Sequence, residues 1–304
     1  MTTIETAAEK KVVPAEPAPA AGPELPPAVF LRPRRGWQMI NFAELWHFRD
    51  LLYFLIWRDV KVRYKQTVLG VAWALLQPLL MMVVFTVLFS MVADTYHRDD
   101  DLPYPLFALA GLLPWSFFAT SITQAGNSVI GSERLVTKIY FPRLAVPFAT
   151  VGAAIVDFCV AMPLLIILLV CYGISPGWNI LMLPAIFLLL VLSAAGVGTM
   201  LAALNVAYRD FRYIIPFLVQ LWMYATPTIY FDLGQTDPSS KYGWVKQLLP
   251  LNPMTGLIAS FRAALLNQDI PWLDLCFSAA MAVVFFLVGC FYFRRVEDTF
   301  ADVI

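Results

Sequence analysis

One acid stands in the middle of an apolar run: Asp157, in VGAAIVDFCVAMPLLIILLVC. A charge there costs about 2.5–3.5 kcal/mol on insertion scales, so the side chain must face a partner or water. It reads as a protonated or hydrogen-bonded packing group, or as one step of a proton relay. The relay is thin, because no basic or histidine companion falls inside an apolar run and His47 and His97 are the only histidines. A second charged group is WRDVKVRYK, with Arg58, Asp59, Lys61, Arg63 and Lys65 in close succession, suited to an anion or an anionic lipid surface. Cys159, Cys171, Cys276 and Cys290 lie in apolar stretches without paired spacing and read as packing residues rather than disulfides or a zinc site. The sequence holds no G-x-x-x-x-G-K-[ST] phosphate loop, no metal-ligand cluster and no nucleophile beside a base. The acidic run 99–101 is a solvated loop. By these motifs the chain is not an enzyme and cannot hydrolyse ATP by itself.

The elements that must carry these residues are membrane helices. Apolar residues make up 60% of the 304 and charged ones 14%, and mean hydropathy is +0.71, outside the range of a soluble domain. Six stretches reach the roughly 20 apolar residues that a helix needs to cross a bilayer: 68–93, 104–128, 144–172, 178–207, 213–231 and 273–293. Runs this long and uniform are helices rather than barrel strands. The fold class is therefore all-α integral membrane protein with six transmembrane helices. With the N-terminus inside, 17 basic residues fall on the cytoplasmic side and four outside, so the positive-inside rule places both termini in the cytoplasm.

The domain plan follows. Residues 1–36, rich in Pro, Ala and Glu, form a disordered cytoplasmic tail. Residues 37–66 form an interfacial region, in which the seven apolar residues 51–57 are too few to span and are flanked by charges, so an amphipathic helix lies in the cytoplasmic interface. Residues 67–293 are the six-span domain and 294–304 a cytoplasmic tail. Between spans five and six, WVKQLLPLNP and MTGLIASFRAALL read as short re-entrant or outer helices broken at Pro250 and Asn252-Pro253. In the fourth span Ala194, Gly198 and Ala202 form a smooth strip for close packing.

The combination RDVKVRYKQTVLGVAWALLQPLLMMVVFTVLFS, AGLLPWSFF, ERLVTKIYFPR and LLPLNPMTGLIASFRAALL resembles the permease subunit of type-2 ABC exporters for cell-envelope polysaccharides, the family of O-antigen, teichoic-acid and capsule exporters. The resemblance covers about residues 40–300, and the N-terminal tail is a departure from it. It implies a homodimer in the bacterial inner (plasma) membrane, with two separate ABC ATPase subunits that bind ATP and Mg; this chain itself carries no cofactor. The substrate implied is a polyprenyl-pyrophosphate-linked polysaccharide, and membrane lipids surround the spans; nucleic acid has no part.

The resemblance also assigns residues. Glu133, Arg134 and Lys138 sit on a short cytoplasmic coupling helix, with Arg58 and Asp59 as a second ATPase contact; the plainer alternative is an ordinary positive-inside loop. Aromatic faces suit the C–H faces of sugar rings, which nominates Trp73, Phe85, Phe89, Trp222, Tyr224 and Tyr230 for the substrate path, although aromatics at span ends also serve as lipid-facing belts. Arg58, Lys61, Arg63 and Lys65 would attract the lipid pyrophosphate at the entrance, where a simple membrane anchor is the bland reading. Trp244, Asn252 and Pro253 would form the outer gate. Two competing readings stay open. A self-powered secondary transporter or channel would show internal repeats, and a membrane-bound transferase would show clustered acids or histidines at one interface.

Overall fold

A computed structural model describes residues 46–65, 70, 72–92, 103–138, 141–228 and 252–300, all within one compact unit of the chain. The described residues are mostly helical, joined by short turns, with no strand among them. In chain order the helices are α1 (Arg49–Lys65), α2 (Ala72–Val92), α3 (Tyr104–Gly131), α4 (Glu133–Lys138), α5 (Ala145–Cys171), α6 (Leu183–Ala207), α7 (Phe211–Tyr224), α8 (Pro253–Leu265) and α9 (Trp272–Val296); a 3-10 turn, Trp178–Met182, leads into α6.

Four stretches are long and apolar enough to cross a membrane: Tyr104–Gly131, Ala145–Cys171, Trp178–Ala207 and Trp272–Val296. Their bounds fall within a few residues of the second, third, fourth and sixth expected spans. The first and fifth are represented by α2, whose flanks lie outside the described residues, and by α7, which is shorter than expected. The helix of the fifth span stops at Tyr224 instead of running to 231. Pro227 is the reason, since it brings no N–H for the next helical bond and disfavours helical backbone at Thr226. The Thr226 hydroxyl turns back to the Trp222 carbonyl at 2.8 Å and closes the end.

α3 is the central post. Most of it is buried, and α2, α5, α6, α7 and α8 all pack against it. The small-residue strip on α6 works as expected: Ala194 and Ala202 are fully buried, and a Cβ on Gly198 would stand 2.7 Å from the Ala125 Cβ of α3. On its other side α6 meets α9 so closely that Gly196 and Gly289 touch backbone to backbone. Such contact is how helices associate where no hydrophobic effect drives them together. Of the four cysteines only Cys290 is buried, so packing accounts for that one and not for Cys159, Cys171 or Cys276, which are exposed.

Two pieces outside the expected spans belong to the packed body. MTGLIASFRAALL forms α8, thirteen residues of which eleven are buried against α3, α6 and α9; Gly256 allows it to lie on the backbone at Asp274. The chain turns back into α9 through Asn267 at φ 54, a left-handed position that Asn tolerates. At the opposite end of the bundle, the segment expected to be a free tail from 294 continues α9 to Val296 and then a 3-10 turn, Glu297–Thr299. Phe300 is fully buried, edge-to-face on Phe293 at 5.2 Å, and Arg143 donates to the Glu297 carbonyl. WVKQLLPLNP lies outside the described residues up to Asn252.

Replacing Gly289 by Val should lower the thermal midpoint of the detergent-solubilised protein. Overpacking of this kind costs about 1–3 kcal/mol, and the obstacle here is backbone that cannot move aside. Gly131→Ala, which meets nothing within 4 Å, should leave the midpoint unchanged or slightly raised. Size-exclusion after stepwise heating reads both, and equal midpoints for Gly289→Val and wild type would refute the close packing of α6 on α9.

Candidate functional site

The charged residues converge where α1 leans on α5. Gly152 opens the contact, since a Cβ there would meet Ile56 at 2.6 and 2.8 Å. Further along both helices, Asp157 accepts a hydrogen bond from the Tyr64 hydroxyl and pairs with the Arg63 guanidinium, which also donates to the Gln124 side-chain oxygen of α3. The Arg63 and Asp157 side chains keep 28% and 20% of their exposure. Burial lowers the Arg63 pKa, opposed by Tyr64 and Asp59, and burial raises that of the Tyr64 phenol. A guanidinium stays charged through such shifts, so at neutral pH Arg63 is a cation and Tyr64 a donor.

This corrects the expectation that Asp157 lacks a basic companion. The companion comes from α1, expected to serve as a surface anchor, and it reaches an acid twelve residues past the start of α5, about 18 Å along its axis. The arrangement also divides the four basic residues assigned to a lipid pyrophosphate. At about 100° per residue, Arg58, Lys61 and Lys65 fall within about 60° of one another, whereas Arg63 points about 140–160° away from them. Lys61 and Lys65 are exposed, and Arg58 pairs with its neighbour Asp59 at 2.8 Å. The four therefore do not act as one site.

Beside the pair lies a cavity of about 240 Å³ between α1, α2, α3 and α5. Trp73, nominated for the substrate path, lines it, together with Gln77, Ser116 and Thr120, whose role the sequence reading missed. The missed signal was the four-residue spacing of Ser116, Thr120 and Gln124 within an otherwise apolar helix.

A second polar junction joins residues that sequence reasoning had assigned separately to path and gate. The Trp222 indole N–H donates to the Asn252 side-chain oxygen at 2.8 Å, and the same oxygen caps α8 by accepting from the Met254 N–H at 3.1 Å. The Asn252 amide donates to Thr226 Oγ1 at 2.8 Å. Trp222 also packs edge-to-face on Phe118, 5.1 Å between centroids, so its ring holds α7 to α3 and α8 rather than standing free. Pro253 is buried at the first turn of α8. Behind it Arg262 donates to the carbonyls of Pro227 and Thr228, and its guanidinium sits 3.8 Å from the Phe107 ring centroid. Gly111 makes room, because a Cβ there would strike that guanidinium.

The remaining assigned residues are dispersed. Tyr224 is 59% exposed at the end of α7, and Phe85 packs beside Ala108 and Leu112. Phe89 belongs to α2; Tyr230 and Trp244 lie outside the described residues. On α4, Glu133 and Arg134 are exposed and Lys138 ends the helix, while Val136 is buried in a cluster with Leu55, Phe141, Leu144 and Phe293. α4 is thus anchored on its apolar side and charged on its outer side.

Asp157→Asn and Arg63→Gln should each destabilise the solubilised protein. Removing one partner of a fully buried pair costs about 3–5 kcal/mol, and the residual exposure of this pair brings the expected loss below that range. The double variant should lose less than the sum of the two. Strict additivity of the thermal midpoints would show that the two side chains do not interact.

Known proteins share this framework. Residues 50–266 match the family described as ABC-2 type transporter. The O-antigen export system permease protein RfbA of Myxococcus xanthus is 32% identical over 260 residues, covering 85% of this chain and 97% of the relative. A Klebsiella pneumoniae protein with the same description is 27% identical over 259 residues, 84% of this chain and 95% of its own length. The polysialic acid transport protein KpsM of Escherichia coli is 22% identical over 251 residues, 80% of this chain and 92% of its own. A family match over most of the length, carried by apolar helices built to cross a membrane, makes this chain a multi-pass member of the ABC-2 type transporter membrane family.

Proposed function

We propose that this chain is the permease subunit of an ATP-driven exporter that moves a lipid-linked polysaccharide outward across the bacterial inner (plasma) membrane. The observation that carries the reading is the similarity to an O-antigen export permease over nearly the whole of that relative. In this reading the chain crosses the membrane six times with both termini cytoplasmic, α2 and α7 supplying the first and fifth crossings with their flanking residues. Two copies form the pathway. Leu80, Val84 and Leu88 on α2 and Tyr213, Phe217 and Leu221 on α7 are exposed at four-residue spacing, which gives each helix an outward apolar stripe for lipid or the second copy.

Two separate ABC ATPase subunits bind ATP and Mg and push on α4 through Glu133 and Arg134. The buried Val136 side of α4 passes the movement to the base of α5 and α9. Headgroup attraction at the cytoplasmic entrance falls to Lys61 and Lys65, while Arg63 is engaged with Asp157. That engagement argues against a self-powered relay, because the one acid deep in a span is held by a fixed counter-charge. At the outer end, Asn252 and Pro253 begin the helix that bears on the exit, with α7 tied to it through Trp222.

The tagged chain, solubilised from its native membrane, should bring down a Walker-motif ATPase in about equal amount and with ATP hydrolysis. Glu133→Ala/Arg134→Ala should cut surface polysaccharide about tenfold at unchanged membrane abundance of the permease. Transport of polymer by vesicles that contain the chain and no ATPase would overturn the reading.

A further inference from the structure

The cavity beside the Arg63–Asp157 pair holds polar groups that no other described residue engages. Among the described residues, Gln77 of α2 and Ser116 and Thr120 of α3 have no hydrogen-bond partner. Ser116 and Thr120 are half-buried and Gln77 exposed, and all three line the space. Ser116, Thr120 and Gln124 lie on one face of α3 over about 12 Å. Across from this ladder stand Asp157 and the indole of Trp73, which is 52% exposed. The floor is apolar, formed by Phe117, Phe158 and Ala161.

The lining narrows the class of ligand. An acyl chain would leave three hydroxyl or amide groups unsatisfied, at a cost for each. A metal ion would find a single carboxylate, already paired with Arg63. An anion would have to take Arg63 from Asp157 and leave that acid without its counter-charge, held by Tyr64 alone. A neutral molecule with hydroxyls around its edge and C–H groups on its faces meets none of these objections. Its hydroxyls can donate and accept in turn with Ser116, Thr120 and Gln77, Asp157 has acceptor capacity beyond Arg63 and Tyr64, and its flat faces can lie on the indole and on Phe117.

We propose that this cavity, inside each copy of the chain, binds a saccharide unit of the transported glycan. The proposal rests on the reading of the chain as a polysaccharide permease. Thr120 lies eleven residues before the end of α3, about 16 Å along its axis from the end that leads to α4. The site thus lies near mid-span, a little toward the end that carries α4, beside the path that the two copies form. Arg63 and Tyr64 stand at its rim, so α1 is both the roof of the site and the element that meets the headgroup.

Two arms test the site separately from the reading beneath it. In a strain that lacks the chain, surface polysaccharide should disappear and return with the wild-type chain; its persistence without the chain would remove the permease reading and this proposal with it. With that established, Ser116→Ala/Thr120→Val should lower surface polymer about tenfold at equal membrane abundance and equal ATPase co-purification, and Thr120→Ser should stay within about twofold of wild type. The direct readout is a benzophenone amino acid at position 120, irradiated in cells that make the polymer. Its adduct should stain for carbohydrate after periodate oxidation, and the same probe at position 188, on the exposed face of α6, should not. Normal export by Ser116→Ala/Thr120→Val, or an adduct at 120 of phospholipid mass without carbohydrate, would overturn the site while leaving the permease reading intact.

Discussion

A carboxylate placed in the middle of an apolar helix must find a counter-charge or give up its own, and here it finds Arg63. That one requirement shapes the end of the bundle where α1 packs. Arg63 sits at the C-terminal end of α1 and has to reach an acid well along α5, so α1 is drawn against the bundle instead of lying free beside it. Gly152 permits the approach, and Gln124 takes the second donor of the guanidinium, which ties α3 into the same junction. Polar atoms that would be costly in isolation thus fasten three helices, and the space left between them becomes the cavity.

The junction around α8 obeys the same rule applied to backbone. Pro227 ends α7 inside the protein, which strands carbonyl groups where water cannot serve all of them. Arg262 answers for Pro227 and Thr228, and Asn252 answers for the first turn of α8 while holding Trp222 and Thr226. An arginine that the charge pattern placed on the outer surface is buried because its hydrogen bonds and the Phe107 ring repay its desolvation.

The sequence made the helical class and most span limits legible, because length and hydropathy report directly on what a bilayer demands. The small strip on α6 was legible for the same reason: spacing alone places Ala194, Gly198 and Ala202 on one face. What escaped depends on contacts between distant segments. Asp157 was recognised as needing a partner, yet nothing local says that the partner is Arg63, ninety-four residues earlier. A helical projection would have separated Arg63 from Arg58, Lys61 and Lys65, and that step was available without coordinates. The linkage of Trp222 to Asn252, and the burial of α8, needed the tertiary structure, since an amphipathic thirteen-residue segment reads alike at a membrane surface and inside a bundle.

α3 is the one element that touches both junctions. Near its start, Phe107 and Gly111 receive Arg262; farther on, Ser116, Thr120 and Gln124 face the cavity. Between the two sets stands Pro114, which removes one backbone bond from the middle of a buried helix. α3 is enclosed by α5, α6 and α8, so it cannot shift as a body without repacking all of them; a close-packed interior resists that. By contrast α1, α2, α5, α6, α7 and α9 each present exposed apolar side chains at their outer faces. Polar or aromatic links tie α3 to its neighbours: Arg63 to Gln124 for α1, the cavity wall for α2, Phe117 on Phe158 for α5, Asn205 to the Gly126 carbonyl for α6, and Trp222 on Phe118 for α7. A displacement of any of these helices would therefore change contacts at α3, the post to which all of them are tied.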